Sequence, residues 1–247
     1  MNLKDWLVVV PARLASTRLE EKLLQDLGGK PIIIRVYERV SALKKKGAEI
    51  VIATDAQKIL AACKRENVPA ILTSEAHKSG TDRVHEVTKH FNKKWILNVQ
   101  GDEPFVDLSA LEKLMTIMSS DQTHQMGTLI CKNTNEADYC DRNIVKVAWE
   151  QNKALYFSRS PIPCYRDDKF AGFWQHIGVY AFHQNTLDRF CSAGPGQLEN
   201  IEKLEQLRAL ALGIDILTVL VDQVSVGIDT YQDLEDARAI FEAGRNS

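Results

Sequence analysis

The first half of the chain alternates short apolar runs with longer amphipathic segments, and this alternation most strongly limits the folds open to it. The apolar runs are Leu7–Val10, Ile50–Ala53, Ala70–Thr73 and Trp95–Val99. The segments with helical spacing are Pro31–Leu43, Ala56–Glu66 and Thr81–Phe91. Runs that are apolar on consecutive residues are typical of parallel strands covered on both faces, and helices joining such strands make right-handed crossovers. The pattern predicts an α/β fold with a doubly wound, mostly parallel sheet of the kind that binds nucleotides.

Beyond about residue 127 the pattern changes to strand-like segments separated by polar loops. These are Gly127–Cys131, Ile144–Trp149, Ala154–Ser158 and Ile177–Phe182. The chain then continues with helix Gln197–Leu212, strands Asp215–Val221 and Val224–Ile228, and helix Tyr231–Ala243, which a capping box from Thr230 to Asp233 begins. We expect a smaller, mixed or antiparallel part here. Because no repeat or linker divides the chain, we predict one domain of three parts, residues 1–126, 127–220 and 221–247.

Composition limits the partners and the compartment. The 247 residues carry a formal net charge of −2, so no overall field attracts nucleic acid or an anionic membrane. The apolar stretch Trp6–Val10 is too short for a signal sequence or a membrane span, which predicts a cytoplasmic protein. Five scattered cysteines without a C-x-x-C pair are interpreted as ordinary thiols in a reducing compartment.

A basic loop, residues 11–30, follows the first predicted strand. It carries Arg13, Arg18, Lys22 and Lys30 among small residues that include Ala12 and Ser16. Small residues let backbone N–H groups approach an anion, and α/β sheets place ligands at the carboxyl ends of their strands. The loop is interpreted as a triphosphate cradle, although its charges alone also fit a solvated loop. Neither a P-loop motif nor G-x-G-x-x-G is present, which argues against P-loop NTPases and Rossmann dehydrogenases.

Two aspartates follow predicted strands. Asp102 lies in the run Asn98–Pro104, and Asp229 follows the predicted strand Val224–Ile228. Since Mg²⁺ in such sites takes one or two carboxylates and phosphate oxygens, both are candidate ligands. The alternatives are a turn residue for Asp102 and a helix cap for Asp229.

A polar run, Thr73–Arg83, lies between the third predicted strand and a helix. Its hydroxyl and backbone groups are able to contact a base and a ribose. The alternative is a simple helix-capping loop.

Seven motifs in order carry a resemblance to a known family. They are Val10–Lys22, Ser79–Arg83, Asn98–Pro104, Tyr156–Arg159, His176–Tyr180, Leu204–Arg208 and Gly227–Asp229. Together they resemble the 3-deoxy-manno-octulosonate (Kdo) cytidylyltransferases, or CMP-Kdo synthetases. The resemblance implies a cytoplasmic, homodimeric enzyme of lipopolysaccharide synthesis that uses Mg²⁺ to form CMP-Kdo and pyrophosphate from CTP and Kdo. It further implies that residues 127–220 serve sugar binding and dimerisation.

The resemblance also assigns residue roles. The implied CTP contacts are Ala12, Arg13, Ser16, Arg18 and Lys22. The implied base and ribose contacts are Thr73, Ser79, Gly80, Thr81, Asp82 and Arg83. The implied metal ligands are Asp102 and Asp229, which with Arg13, Arg18 and Lys22 form the catalytic set. The implied sugar contacts are Gln100, Arg159, His176, Tyr180, Glu205 and Gln206.

One segment departs from the family pattern. Where the family has Arg-x-Pro-Gly-Lys, this chain has Glu20 and Glu21 between Arg18 and Lys22. Carboxylates would repel a triphosphate, so we expect both to face solvent or to pair with a basic neighbour.

Two alternative functions stay open at this point. One is the same reaction on 8-amino-Kdo or sialic acid. The other, made conceivable by the Glu20–Glu21 change, is a nucleotide-binding module without turnover.

Overall fold

The computed structural model describes residues 2–16, 18–77, 79–167 and 169–245. The chain divides into two compact units. Residues 1–108 and 225–247 form unit 1, and residues 109–224 form unit 2. The single domain with its three parts, and the change of architecture near residue 127, stay predictions.

Unit 1 is built on parallel strands joined by helices. In chain order its elements are β1 (Trp6–Ala12), α1 (Ile32–Val40), β2 (Glu49–Thr54), α2 (Gln57–Arg65), β3 (Ala70–Leu72), α3 (Gly80–Thr88) and β4 (Trp95–Asn98). The strand order is β3-β2-β1-β4, and all three neighbouring pairs are parallel. Every residue of β1 and β4 is buried, as consecutive apolar runs predict. The predicted parallel α/β sheet is confirmed.

Unit 2 contains a mixed sheet. Its elements are α4 (Leu108–Ser120), β5 (Met126–Asn133), α5 (Glu136–Cys140), β6 (Lys146–Glu150), β7 (Lys153–Ser158), β8 (Phe173–His183), α6 (Gln184–Ala193), α7 (Gln197–Glu202), α8 (Gln206–Ala211) and β9 (Ile216–Val221). The strand order is β8-β5-β9-β7-β6, where β5 runs antiparallel to β8 and parallel to β9. The predicted mixed part is therefore confirmed. Helix α6 occupies a stretch for which the sequence pattern predicts no element.

The predicted helix Gln197–Leu212 is wrong, because the chain forms two helices there. Lys203 ends α7 in a left-handed conformation with φ 54°, which no α-helix continues. Gln206 is consequently the first residue of α8. It is buried, at 2% exposure, and does not lie on the solvent-facing side of one long helix.

The predicted strand Val224–Ile228 is also wrong. This segment has no regular structure, although Ile228 N donates to Asp102 O at 3.0 Å. The final helix α9 (Tyr231–Arg245) begins as predicted, with Asp233 N donating to Thr230 Oγ1 and Thr230 N donating to the Asp233 carboxylate, at 3.2 and 2.8 Å. Across the described residues, no helix combines the length and apolarity needed to span a membrane.

Candidate active site

A cavity of about 320 Å³ opens in unit 1 at the carboxyl ends of β1 and β4. It is lined by Pro11, Arg13, Ala15, Ser16, Arg18, Lys22, Leu23, Gly80, Gln100, Gly101, Asp102 and Asp229. Eight of these residues are predicted from the sequence to belong to the site, although their separation along the chain exceeds 200 residues. The fold brings the basic loop and both aspartates together at one edge, where α/β sheets bind ligands.

Lys22 lies between the two aspartates. Its Nζ donates to Asp102 Oδ2 at 2.6 Å and to Asp229 Oδ1 at 2.9 Å. Although burial lowers the pKa of Lys22, the two carboxylates outweigh that effect and raise it above its ordinary value. Arg18 adds an ion pair to Asp229 at 3.1 Å. Two carboxylates thus converge on a single cation.

Close backbone packing positions Asp102. A Cβ at Gly101 would lie 2.8 Å from Pro11 O, so only glycine allows this approach between the ends of β4 and β1. The Asp102 carbonyl then accepts from Ile228 N. These contacts fix both chain segments that carry the aspartates.

The start of α9 positions Asp229. Its backbone N donates to Asp233 Oδ2 at 3.0 Å, so the Asp233 carboxylate caps the helix and leaves the Asp229 side chain in the cavity lining. Asp229 is therefore a site residue and not only a helix cap.

Glu103 is not among the residues predicted from the sequence to belong to the site. Burial first, and then the charges of Asp102 and Asp229, raise the pKa of Glu103 to about 7, although a hydrogen bond from Ser225 Oγ opposes the rise. The Glu103–Ser225 bond ties the turn after β4 to the segment that leads to Asp229. The position of Glu103 next to Asp102 in the same motif was the signal by which the sequence could have indicated this residue.

The implied base and ribose residues fall into two layers. Gly80 is part of the cavity lining. Arg83 is fully buried behind it, donating to Thr73 Oγ1 and to Asp55 Oδ2, the latter at 2.6 Å. Arg83 therefore supports Thr73 from within the protein and does not line the cavity.

Two hydroxyl groups of this run have structural partners. Ser79 Oγ caps α3 by accepting from Asp82 N at 3.0 Å. Thr81 is buried, and its Oγ1 accepts from Asn98 Nδ2 at 3.2 Å. Ser79 therefore shapes the loop, and Thr81 packs it against the end of β4.

The donor set at Asp102 and Asp229 fits Mg²⁺. Within the described ranges, no three His, Cys, Asp or Glu side chains group to hold a metal ion. Mg²⁺, however, typically binds one or two carboxylates and completes its shell with water and phosphate oxygens. Asp102 Oδ2 and Asp229 Oδ1, which both accept from the Lys22 ammonium group, match that requirement.

In unit 2, His176 and Tyr180 of β8 form a polar cluster with Gln206. Their rings lie 5.4 Å apart, and Tyr180 Oη donates to Gln206 Oε1 at 3.0 Å. Glu205, the fourth implied sugar contact in this stretch, is the residue before α8. The fold therefore brings together side chains from strand and helix that the sequence separates.

Arg159, the implied carboxylate anchor, follows β7 in unit 2. Its guanidinium donates to the carbonyls of Glu202, Arg142 and Lys203, at 2.7, 2.8 and 3.4 Å. The buried Lys146 donates to the Arg159 carbonyl at 2.6 Å. Backbone carbonyls thus hold Arg159 in place through both its side chain and its main chain.

Comparison with known proteins decides the family. A family model described as Cytidylyltransferase matches residues 7–216. A 3-deoxy-manno-octulosonate cytidylyltransferase of Koribacter versatilis is 41% identical over 239 residues, covering 96% of this chain and 90% of the relative. One of Flavobacterium johnsoniae is 41% identical over 240 residues, covering 95% and 98%. This chain belongs to the 3-deoxy-manno-octulosonate cytidylyltransferases.

A solved structure agrees with that family. The CMP:2-keto-3-deoxy-manno-octonic acid synthetase complexed with CTP has a TM-score of 0.92 and 36% identity, covering 97% of this chain and 99% of its own. A 4-diphosphocytidyl-2C-methyl-D-erythritol synthase of Anaerococcus prevotii shares the fold alone, at a TM-score of 0.64 and 13% identity.

The departure at Glu20 and Glu21 has a defined structure in this cytidylyltransferase. Glu20 is exposed, and Glu21 forms an ion pair with Lys58 of α2, as expected. Glu21 also has φ 45°, a left-handed conformation that glycine adopts without cost. The resemblance places a glycine at this position, so the loop keeps the backbone that a glycine favours.

Proposed function

We propose that this protein transfers CMP from CTP to the anomeric hydroxyl of Kdo, forming CMP-Kdo and pyrophosphate. The observation that carries the proposal is that Asp102 and Asp229 converge on the ammonium group of Lys22. They do so in a cavity whose lining includes Arg13 and Arg18. The relatives named as 3-deoxy-manno-octulosonate cytidylyltransferases, and the related synthetase complexed with CTP, support both substrates.

The basic residues of the cavity bind the triphosphate in this proposal. Arg13 and Arg18 belong to the lining, and Arg13 Nη2 donates to His77 O at 3.0 Å, which orients its guanidinium. When the sugar hydroxyl attacks the α-phosphorus, negative charge moves toward the leaving pyrophosphate. Arginine and lysine donors at fixed positions stabilise that charge.

Asp102 and Asp229 would hold Mg²⁺. The ion, when bound, neutralises phosphate charge and lowers the pKa of an attacking hydroxyl group. Since Lys22 binds the same two carboxylates, it would exchange these contacts for phosphate oxygens. In this proposal Lys22 pairs with the aspartates before Mg²⁺ binds and with the nucleotide phosphates afterwards.

The sugar acid is the second substrate. On the basis of the family motifs, we assign its contacts to Gln100, Arg159, His176, Tyr180, Glu205 and Gln206. Arginine binds carboxylates with parallel hydrogen bonds, so Arg159 suits the acid group. The comparisons do not favour 8-amino-Kdo or sialic acid as the acceptor, because the relatives carry the Kdo name.

Pyrophosphate release tests the proposal. Each of the four nucleoside triphosphates is combined with Kdo, with and without Mg²⁺, and sialic acid serves as a control acceptor. We expect release only with CTP, Kdo and Mg²⁺ present together. Equal rates with all four nucleotides would refute the base assignment, and full activity in EDTA would refute the metal assignment.

A cytoplasmic location and a homodimer stay predictions of the resemblance. Cell fractionation and the mass from light scattering check them. Recovery in a membrane fraction or a monomeric mass would contradict them.

A further inference from the structure

Thr128 of β5 belongs to the polar cluster of unit 2, although no motif of the sequence marks it. It is fully buried, and its register partner on β8 is Tyr180. The next residue, Leu129, pairs with Ile177, so β8 carries two extra residues at this point. Such a bulge leaves carbonyl groups without their ladder partners.

The hydroxyl group of Thr128 meets three polar atoms. Its Oγ1 lies 2.7 Å from Val179 O, 3.2 Å from Ile177 O and 3.0 Å from His176 Nε2. A threonine hydroxyl has one proton to donate and accepts with its lone pairs. Carbonyl oxygens only accept, so the proton of Thr128 must point to the carbonyls, the nearer being that of Val179. His176 Nε2 must therefore carry a proton and donate it to Thr128.

His176 has a single ring proton. Burial lowers the pKa of His176 to about 3, and its ring packs edge-on against Phe157 at 5.1 Å. A neutral imidazole protonated at Nε2 has a bare Nδ1, which accepts hydrogen bonds. Among the residues that the structure describes, no partner bonds this Nδ1.

Gln206 supplies the complementary group. Its Oε1 accepts from Tyr180, whereas its Nε2 is buried and has no partner in the described part of the chain. The cluster therefore offers one unused acceptor and one unused donor. A hydroxyl group, which both donates and accepts, matches this pair.

We propose that Thr128 is a positioning residue for the sugar acid: it holds the proton of His176 on Nε2, so that Nδ1 accepts from a hydroxyl group of the substrate. The substrate contact rests on the proposed function. The position of the ring proton does not, because it follows from the contacts of Thr128 alone.

Two variants and one matched control test this role. Thr128→Val keeps the shape and removes the hydroxyl, whereas Thr128→Ser keeps the hydroxyl. Thr218→Val is the control, since Thr218 is the register partner of Thr128 on β9 and its buried hydroxyl has no partner within the described residues. Because Thr128→Val also frees the carbonyls of Ile177 and Val179, all assays are run well below its midpoint of thermal unfolding.

Kinetics and NMR give separate results. We expect Thr128→Val to raise KM for Kdo about three- to tenfold, the loss of one hydrogen bond, with KM for CTP unchanged. Thr128→Ser and Thr218→Val should keep both constants. In ¹⁵N spectra of the wild-type protein, His176 should show a protonated Nε2 and an unprotonated Nδ1, and Thr128→Val should mix the two tautomers.

The outcomes separate the two claims. A wild-type His176 protonated at Nδ1 would overturn the inference, whatever the enzyme's activity. An unchanged KM for Kdo in Thr128→Val, or an equal rise in KM for CTP, would overturn the positioning role. A wild-type protein that does not use Kdo, yet shows the expected ¹⁵N shifts, would contradict the proposed function and leave the tautomer assignment standing.

Discussion

At the scale of single residues, Lys22 explains how two carboxylates come to share a small space without repelling each other. Its ammonium group bonds Asp102 and Asp229 together, and their charges keep it protonated by raising its pKa despite the burial that lowers it. The aspartates are thus preorganised for a cation. Preorganised charge is the main means by which phosphoryl transfer is catalysed.

Asp102→Asn should abolish pyrophosphate release while CTP still binds. The amide keeps the shape but loses the charge that a divalent cation needs. Isothermal titration measures CTP binding in parallel with the release assay. Asp215→Asn is the control, because Asp215 also pairs with a lysine, Lys153 at 2.6 Å, in the exposed part of unit 2. Near-normal turnover of Asp102→Asn would contradict the metal assignment.

Glu21→Gly should stabilise the protein. Glycine adopts the left-handed backbone of residue 21 without the cost of about 1–2 kcal/mol that other residues meet. The exposed pair with Lys58 contributes less than about 1 kcal/mol. Urea denaturation should show a net gain of about 0.5–1 kcal/mol for Glu21→Gly, and a small loss for Glu21→Ala, which removes only the ion pair. Equal effects of the two variants would disprove backbone strain at residue 21.

Residues that act by type and position along the chain were predictable, whereas residues that act through packing were not. Arg13, Lys22 and Asp102 follow strand ends, where parallel sheets bind ligands, so the sequence pattern predicts them as site residues. Thr128 is one threonine within a buried strand, and its role depends on a bulge that no sequence pattern reveals.

At the scale of elements, the break between α7 and α8 shapes the polar cluster. The apolar spacing favours one helix, but Glu202 at the end of α7 uses its carboxylate to accept from Ser158 Oγ and Arg159 N, at 2.6 and 2.9 Å. These tertiary contacts and the left-handed Lys203 outweigh the local helix preference. Helix periodicity alone could therefore not have placed Gln206 in the interior.

A buried ion pair joins these two short helices. Arg208 of α8 donates to both carboxylate oxygens of Glu199 in α7, at 2.8 and 2.5 Å, and its guanidinium lies 4.4 Å from the ring centre of Phe190. Arg208→Met should therefore cost about 3–5 kcal/mol of the free energy of unfolding, because it leaves a buried carboxylate unpaired.

The matched control for this prediction is Arg238→Met in α9. Arg238 pairs with Glu235 at 2.6 Å on a more exposed surface, so its loss should cost about 1 kcal/mol or less. Urea denaturation measures both. Similar losses of the free energy of unfolding for the two variants would show that the buried Arg208 pair stabilises the protein no more than the exposed pair does.

At the scale of the whole molecule, the sequence predicts the fold class and leaves the details of pairing open. Consecutive apolar residues in β1 and β4 require cover on both faces, which identifies the parallel sheet of unit 1. The start of unit 2 at residue 109 carries no Pro, Gly or Ser linker. The segment before Asp229 has the composition of a strand but pairs with no other strand among the described residues. The hydrogen bonds from Ile228 N to Asp102 O and from Ser225 Oγ to Glu103 fix its position.

The stability of the protein should fall in acid partly through His176. The unfolded chain protonates this histidine below pH ~6.5, whereas the folded protein does so only near its pKa of about 3. Its contribution is full above pH ~6.5 and is lost as the pH falls toward 3, at up to about 1.4 kcal/mol per pH unit. Comparing urea denaturation of His176→Gln with wild type isolates this slope from that of groups such as Glu103. Parallel curves between pH 6.5 and 4 would refute it.

The central claim is the joining of CMP to Kdo, and ³¹P NMR of one reaction tests it most directly. With CTP, Kdo and Mg²⁺, the account predicts that the triphosphate signals disappear while one phosphodiester signal of CMP-Kdo and the signal of pyrophosphate grow in equal amounts. Unchanged CTP, or its conversion to CDP and orthophosphate without a phosphodiester signal, would contradict the account.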